Sequence, residues 1–327
     1  MTVAGGIVSA LGQALPGTRS GRLLVLIYHR VHPKASADFP GRLDADRFDA
    51  QMALIRRHCH PMALADAVPA LREGSLPPRA VAVTFDDGYA DNAEIALPIL
   101  LRHGVPATFF VASGFLDGGR MWNDSIAESI RRAPAGTLDL RELQLGSHEL
   151  TSQVQRSRVA NQIVASIKRL PQQERQARVD AICERIGVAL PDDLMMTSAQ
   201  VRSLSQAGME VGAHTVSHPI LRTLDEPTVR QEIHGNREAL ERMTGTAVRS
   251  FAYPNGKLDD DYTVRDRDLV ESLRFDYALS TQRGVASSAS DRFQLPRFTP
   301  WDRSPGRWLA RLLLEYRRQL PQADRGR

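Results

Sequence analysis

The sequence is poor in cysteine: Cys59 and Cys183 are its only two, and neither belongs to a C-x-x-C pair. A disulfide framework and a cysteine-ligated zinc site are therefore not expected. Aromatics are also scarce, at 6%, and the 42 Lys and Arg residues that face 38 Asp and Glu are scattered except near the C-terminus. A nucleic-acid surface needs a basic stripe interleaved with aromatics, so no nucleic-acid partner is expected. Long hydrophobic runs are missing too. The longest, Leu23 to Tyr28, has six residues, whereas a membrane-spanning helix needs about 20. Near the N-terminus the apolar stretch Val3–Leu15 is broken by glycines, and no Lys or Arg precedes Arg19. Without the positive region of a secretory signal, the chain reads as cytoplasmic. There is no G-x-S-x-G, no P-loop and no G-x-G-x-x-G, which removes the commonest serine-hydrolase and nucleotide-binding signatures.

The composition is that of a folded globular protein, 42% hydrophobic and 24% charged over 327 residues. Short β-rich runs alternate with helix-length amphipathic segments, the pattern of a parallel sheet with crossover helices. The predicted strands are Leu23–Tyr28, Val81–Phe85, Ala107–Val111, Met209–Ala213, Val248–Tyr253, Tyr277–Ser280 and Phe293–Phe298. Such a set predicts an α/β barrel. Helical spacing links Phe48, Met52 and Ile55, and another helix over Ala93–Arg102 is stopped by Gly104 and Pro106. Thr197 and Gln200 have capping-box spacing, and Asp225 opens a helix with Val229, Ile233 and Leu240 on one side. The 85 residues from Ser113 to Thr197 break the alternation. They are expected to form a helical insertion at one end of the barrel, where loops can grow.

Chemistry concentrates at the ends of two strands. In Thr84-Phe85-Asp86-Asp87-Gly88 two adjacent carboxylates sit where an apolar strand meets a glycine turn. Alternation along a strand would direct them to different partners, although an Asp-Asp-Gly can also be a solvated turn. His214-Thr215-Val216-Ser217-His218 follows another strand. This H-x-x-x-H spacing would put both rings on one face of a helical turn, able to share a cation with one Asp in an open three-ligand site. Taken singly, such a pair is as readily a surface or core feature. His58-Cys59-His60 lacks acidic partners and reads as a solvated connection.

The T-F-D-D-G and H-T-x-x-H strings resemble the first two motifs of the polysaccharide deacetylases, carbohydrate esterase family 4, with the NodB-homology fold. The resemblance covers roughly residues 23–301 and implies a distorted (β/α)7 barrel. It implies that Asp86 is the general base and that Asp87, His214 and His218 are ligands of a divalent metal, Zn2+ with Co2+ or Ni2+ as alternatives. The family's third motif, R-x-P-Y, falls on Ala252-Tyr253-Pro254-Asn255, which implies substrate or oxyanion contacts from Tyr253, Pro254 and Asn255 but leaves the base without its arginine. Arg297, in Leu295-Pro296-Arg297-Phe298, is a candidate to replace it, with a surface arginine as the competing reading. No histidine follows His234, so the family's usual C-terminal general acid is absent. Tyr28-His29 resembles the N-terminal Y-H motif of the branch that de-N-acetylates poly-N-acetylglucosamine exopolysaccharides, which makes His29 the candidate acid. Trp122 could contact a sugar ring or simply pack.

The implied activity is removal of N-acetyl groups from an amino-sugar glycan. Hydrolysis of O-acetyl esters, N-formyl groups or cyclic amides, or carbohydrate binding without catalysis, are the alternatives. The chain divides into an extension over 1–22, a catalytic domain over 23–301 containing the insertion 113–197, and a basic amphipathic helix and tail over 302–327. Arg307–Arg318, with Trp308, Leu309, Leu312, Leu313 and Tyr316, is expected to pack against the barrel, with peripheral membrane contact as the alternative.

Overall fold

Strand β1, Arg22–Tyr28, is apolar on both sides, and from Leu23 onward every residue in it is buried. A strand covered on both faces has to read this way. The computed structural model describes residues 21–299 and 301–317. In chain order the further strands are β2 (His60–Pro61), β3 (Ala80–Phe85), β4 (Ala107–Val111), β5 (Gly136–Asp139), β6 (Ser147–Leu150), β7 (Glu210–Ala213), β8 (Ser250–Ala252), β9 (Tyr277–Arg283), β10 (Ala286–Ser287) and β11 (Leu295–Arg297). Strands β1, β3, β4, β7, β8, β9 and β11 lie side by side in that order, all parallel. The ring closes where Phe298 bridges Leu26, its N–H donating to Val25 O at 2.8 Å and its carbonyl accepting from Ile27 N–H at 3.1 Å. The fold is thus the expected seven-stranded α/β barrel. At the lower end β2 pairs with Ala80 and Val81, below the point where β4 joins β3 at Val83, and β10 runs antiparallel to the start of β1.

Strand alternation sorts the apolar residues into two layers. Leu23, Val25, Ala82, Phe110, Leu279 and Leu295 fill the barrel interior, plugged from below by the helix Leu64–Glu73. Leu24, Leu26, Val83, Phe85, Phe109 and Phe251 face outward against the surrounding helices. Those helices begin and end at the predicted punctuation. Thr197 and Gln200 form a reciprocal capping box, Asp225 accepts from Thr228 N–H at 3.0 Å, and Gly104 ends Leu97–His103 in the left-handed region at φ 60°.

The segment between Ser113 and Thr197 departs from expectation in one respect. Besides the helices Trp122–Arg132, Gln153–Ile167 and Gln172–Ile186, it contains the antiparallel hairpin β5–β6. Each hairpin strand is only four residues long and has no apolar alternation to announce it. The segment has an apolar cluster of its own, around Ile126, Ile130, Val159, Ile163 and Ile182. The C-terminal helix runs over Pro305–Glu315, and its Trp308, Leu309 and Leu312 are buried in the barrel's outer layer. Those apolar side chains are therefore not presented to a membrane surface. Among the described residues no helix is long and apolar enough to cross a membrane. Residues 1–20, which hold the apolar stretch Val3–Leu15, and Arg318 lie outside the described residues.

Candidate metal centre and active site

The alternation that packs the barrel also aims its functional groups. Along β3 the inward positions are Ala80, Ala82 and Thr84, and the next in phase is Asp86; along β7 they are Glu210 and Gly212, and the next is His214. On β11 Leu295 is followed by Arg297, and on β1 Leu23, Val25 and Ile27 lead to His29. All four side chains therefore enter at the carboxyl ends of the strands, the end at which barrels carry their sites. Gly212 leaves room below His214: a Cβ there would sit 2.5 Å from the Phe110 ring and 2.8 Å from Ser250 Oγ.

Asp86 is 2% exposed and Arg297 1%. The guanidinium donates to both carboxylate oxygens, Nη1 to Oδ1 and Nη2 to Oδ2, each at 2.7 Å. Its Nε donates to Ser280 O at 2.9 Å, which fixes the plane of the fork. Burial pushes the Asp86 carboxyl upward, but the charge of Arg297 and its paired hydrogen bonds outweigh this and hold the group below the usual carboxylate range.

Asp87 turns the other way. Its φ is 78°, in the left-handed region, and Gly88 follows at φ 93°, where a Cβ would lie 2.9 Å from Val111 Cγ1. The turn delivers Asp87 Oδ1 to 3.4 Å from both His214 Nε2 and His218 Nε2. Bonds of about 2.0–2.2 Å at tetrahedral angles hold neighbouring donor atoms about 3.4 Å apart, so this donor set fits a divalent cation with a position left open. Among the described residues it is the one group of at least three His, Cys, Asp or Glu side chains gathered closely enough for that, with ligand atoms within 4.8 Å of one another.

Groups that the sequence reading passed over support the ligands. His214 Nδ1 donates to Ala252 O at 2.7 Å, which leaves the Nε2 lone pair facing Asp87. His214 N–H donates to Asn236 Oδ1 at 2.9 Å, and Asn236, wholly buried, donates in turn to Val111 O at 3.0 Å and Ser113 Oγ at 2.9 Å. Glu232 accepts from Val216 N–H, Ser217 N–H and Ser217 Oγ at 2.9, 2.8 and 2.7 Å. The expected helical turn between the histidines is not formed. Thr215 and His218 have φ of 67° and 50°, which breaks helical geometry, and Glu232 clamps the resulting loop. Burial lowers both imidazoles. At His214 the contact with Asp87 and the charge of Asp86 overcome it and raise the pKa, whereas at His218 burial prevails and brings it down to about 4. Burial raises the Asp87 carboxyl, yet His214, His218 and His29 together hold it well below the ordinary range.

The polysaccharide deacetylase family profile matches residues 73–277, more than half of the chain, and spans both motifs. The chain belongs to the polysaccharide deacetylase family. YxkH of Bacillus subtilis strain 168 is 20% identical over 281 residues, covering 85% of this chain and 71% of its own. The Streptococcus pyogenes deacetylase PplD, solved in complex with acetate, is 18% identical and aligns with a TM-score of 0.59 over 89% of this chain and 97% of its own. IcaB from Ammonifex degensii is 19% identical, with a TM-score of 0.59 over 90% of this chain and 97% of its own. At such identities the structural likeness is one of fold.

In this member of the family a cleft of about 380 Å3 lies over the carboxyl ends of the strands, lined by His29, Asp86, Asp87, His214 and His218 from the barrel. His29 is exposed at its rim, with its carbonyl held by Asn92 Nδ2 at 2.8 Å. Of Tyr253, Pro254 and Asn255, only Asn255 lines the cleft. Tyr253 is in the outward phase of β8, stacked on Tyr262 with ring centroids 3.8 Å apart and donating its hydroxyl to Phe293 O, so strand alternation removes its side chain from the site. Pro254 is buried and has no N–H to offer. The φ of Asn255 is 59°, and its carbonyl accepts from Thr281 Oγ1 at 2.7 Å. Trp122 does line the cleft, but the guanidinium of Arg175 lies 4.9 Å over its ring and covers one face. The cleft's far wall comes from the insertion, through Met121, Asn123, Val164, Lys168 and Arg175.

A larger hollow of about 800 Å3 opens at the opposite end of the barrel, bordered by Arg72, Glu210, Arg249 and Asp276. It contains none of the groups just described and lies on the face where barrels carry stability rather than chemistry. His58-Cys59-His60 forms the bend into β2, where burial pushes the Cys59 thiol up to about 12 and makes it a poor metal ligand.

Proposed function

We propose that the cleft hydrolyses the N-acetyl amide of an amino sugar in a glycan, releasing acetate and a free amine. The observation that carries the reading is the separation of two adjacent carboxylates: Asp86 is gripped by Arg297 alone, while Asp87 is turned onto His214 and His218. One carboxylate is thus available to move a proton beside a site that can hold a cation.

A divalent cation held by Asp87, His214 and His218, of the Zn2+, Co2+ or Ni2+ type that suits mixed nitrogen and oxygen donors, would supply Lewis acidity and make water a nucleophile near neutral pH. Asp86 takes the proton of the attacking water; its oxygens keep acceptor capacity beyond the two bonds from Arg297. The backbone N–H of Asn255, a residue of the cleft wall, donates to the carbonyl oxygen as charge develops on it. His29, as imidazolium, donates to the departing nitrogen, because an amide anion cannot leave unprotonated. The C–N bond breaks, the new C–O bond remains in acetate, and the sugar keeps the amine.

The test is acetate release from defined N-acetylglucosamine oligomers before and after removal of metal with a chelator. The reading predicts release that stops on chelation and returns with added Zn2+ or Co2+. Release that is indifferent to chelation would remove the cation from the account, and no release from any N-acetylated sugar would remove the activity.

A further inference from the structure

The insertion carries two buried arginines that differ in a telling way. Arg156 is 7% exposed and fully occupied: it donates to the carbonyls of Ile130, Ala133 and Leu150 at 2.9, 2.6 and 3.1 Å. It is a structural arginine that ties the insertion together. Arg175 is 5% exposed and lines the catalytic cleft. Its hydrogen bond to protein is one long contact, Nη1 to Lys168 O at 3.4 Å, and among the described residues no carboxylate is within ion-pair distance. Burial pulls its pKa below the ordinary value with nothing to oppose it. The Trp122 ring under it supplies the rest of its neighbourhood.

Lys168 lines the same cleft, half-buried, and also has no carboxylate partner among the described residues. A guanidinium taken almost wholly from water, in a cleft wall that carries a second cation, is costly unless something negative completes it. The acidic groups of the cleft do not. Asp86 is matched by Arg297 and Asp87 by the histidines, while the third cation of the lining, Arg30, is paired with Asp91 at 2.8 Å. The helix that bears Arg175 is held to the ligand loop by Gln172 Nε2, which donates to Ser217 Oγ at 3.0 Å. Arg175 is thereby tied to the proposed cation site.

We propose that Lys168 and Arg175 form an anion-binding subsite opposite the reacting centre, and that the substrate is an N-acetylated amino sugar bearing a carboxylate or phosphate on the same or the adjoining sugar unit. This rests on the amino-sugar reading of the site. The anion supplies the charge that the wall lacks, and a planar guanidinium can take two of its oxygens at once. Selection between glycans then comes from the insertion, while the barrel supplies the chemistry.

The test is calorimetric titration of the full-length protein, under chelator so that no turnover intervenes, with N-acetylglucosamine, N-acetylglucosamine 1-phosphate and the disaccharide of N-acetylglucosamine with glucuronate. The two anionic arms distinguish phosphate from carboxylate. At least one anionic ligand is expected to bind about tenfold or more tightly than the neutral sugar, with the advantage shrinking as salt is raised. Lys168→Ala and Arg175→Gln should each reduce that advantage. Should Arg175→Gln fail to fold by circular dichroism, Lys168→Ala, at a helix end, carries the comparison alone. Equal binding of neutral and anionic sugars, or a preference that persists in the folded variants, overturns the subsite. Failure of the hydrolase reading shows separately, as absence of acetate from all three ligands with metal-loaded wild-type protein.

Discussion

Arg297 and Asp86 stand 211 positions apart in the chain and form a two-point ion pair inside the barrel mouth, with both contacts at 2.7 Å. The motif position that carries an arginine in the family pattern is Ala252, in the inward phase of β8, and a guanidinium from β11 reaches the carboxylate instead. Only closure of the barrel, Phe298 against Leu26, makes this contact, so the buried ion pair and the last ring of backbone hydrogen bonds depend on one another.

Replacing Arg297 with Met removes one partner of a buried pair and leaves a desolvated carboxylate, a loss of about 3–5 kcal/mol in stability at neutral pH. Burial, having lost its largest opponent, should raise the Asp86 pKa, so the acid limb of the kcat/KM profile moves to higher pH. Arg297→Lys, which keeps the charge but not the fork, should recover part of the stability and less of the rate. Urea unfolding and a pH–rate profile check both; an unmoved acid limb would detach Arg297 from Asp86.

Asp87→Asn removes the anionic member of the donor set and should abolish tight metal uptake and turnover together. Metal content by elemental analysis and acetate release from the same preparation give the comparison. A variant that retains stoichiometric metal and loses only activity would mean that Asp87 is not a ligand.

Much of this was legible in the sequence because both layers of the barrel are apolar. Strands buried on both faces show as unbroken runs such as Leu23–Tyr28, and the next residues in phase, His29, Asp86 and His214, mark the site. Arg297 could be named as a candidate partner of Asp86 only from its place at a strand end and from the family resemblance, because nothing local encodes a contact across the barrel. Asn236 was concealed differently. It occupies an apolar-stripe position between Ile233 and Leu240, and a polar residue there was the available signal. The left-handed turn at Thr215 and His218 had no glycine to announce it. Lys168, which caps the helix Gln153–Ile167, and Arg175, in Gln172–Ile186, belong to a pattern that is unremarkable until the fold brings them over the cleft.

Asn236→Ala leaves His214 N–H and Val111 O without their partner. Two buried backbone groups lose their satisfaction, each at a cost of about 1–3 kcal/mol, and the His214 ring loses the anchor that sets its height. Metal affinity should fall about 10- to 100-fold, as when comparable supports of metal ligands are removed. Competition with a chromophoric chelator measures this directly, and an unchanged affinity would reduce Asn236 to a packing role.

Asp124 gives the clearest pH dependence outside the ligand set. Burial raises its pKa to about 6, although the Tyr89 hydroxyl donates to it at 3.0 Å and opposes the shift. The unfolded value is about 3.9, so the folded state binds the proton more tightly. Its contribution to stability is present below about pH 4 and is lost as pH rises through about 6. Asp124→Asn, which still accepts from Tyr89, should match the wild type at low pH and exceed it by about 3 kcal/mol at pH 7. Denaturant midpoints at the two pH values give the answer; the same difference at both would mean that titration of Asp124 is not the cause.

His29 is assigned to the leaving group, and leaving groups differ in how much help they need. An amine must be protonated as it departs, whereas 4-nitrophenolate leaves as a stable anion. His29→Ala should therefore lower kcat on N-acetylated sugars by about 10^2- to 10^4-fold, while hydrolysis of 4-nitrophenyl acetate falls far less. Its ring is no part of the Asp87, His214 and His218 group, so metal content should be unchanged. The paired substrates separate chemistry from structure. A general loosening of the cleft would slow both reactions alike, and so would loss of metal. Unequal loss, greater for the amide, is the signature of a missing acid. Equal loss on both substrates, or full activity on the amide, would take the role of proton donor away from His29.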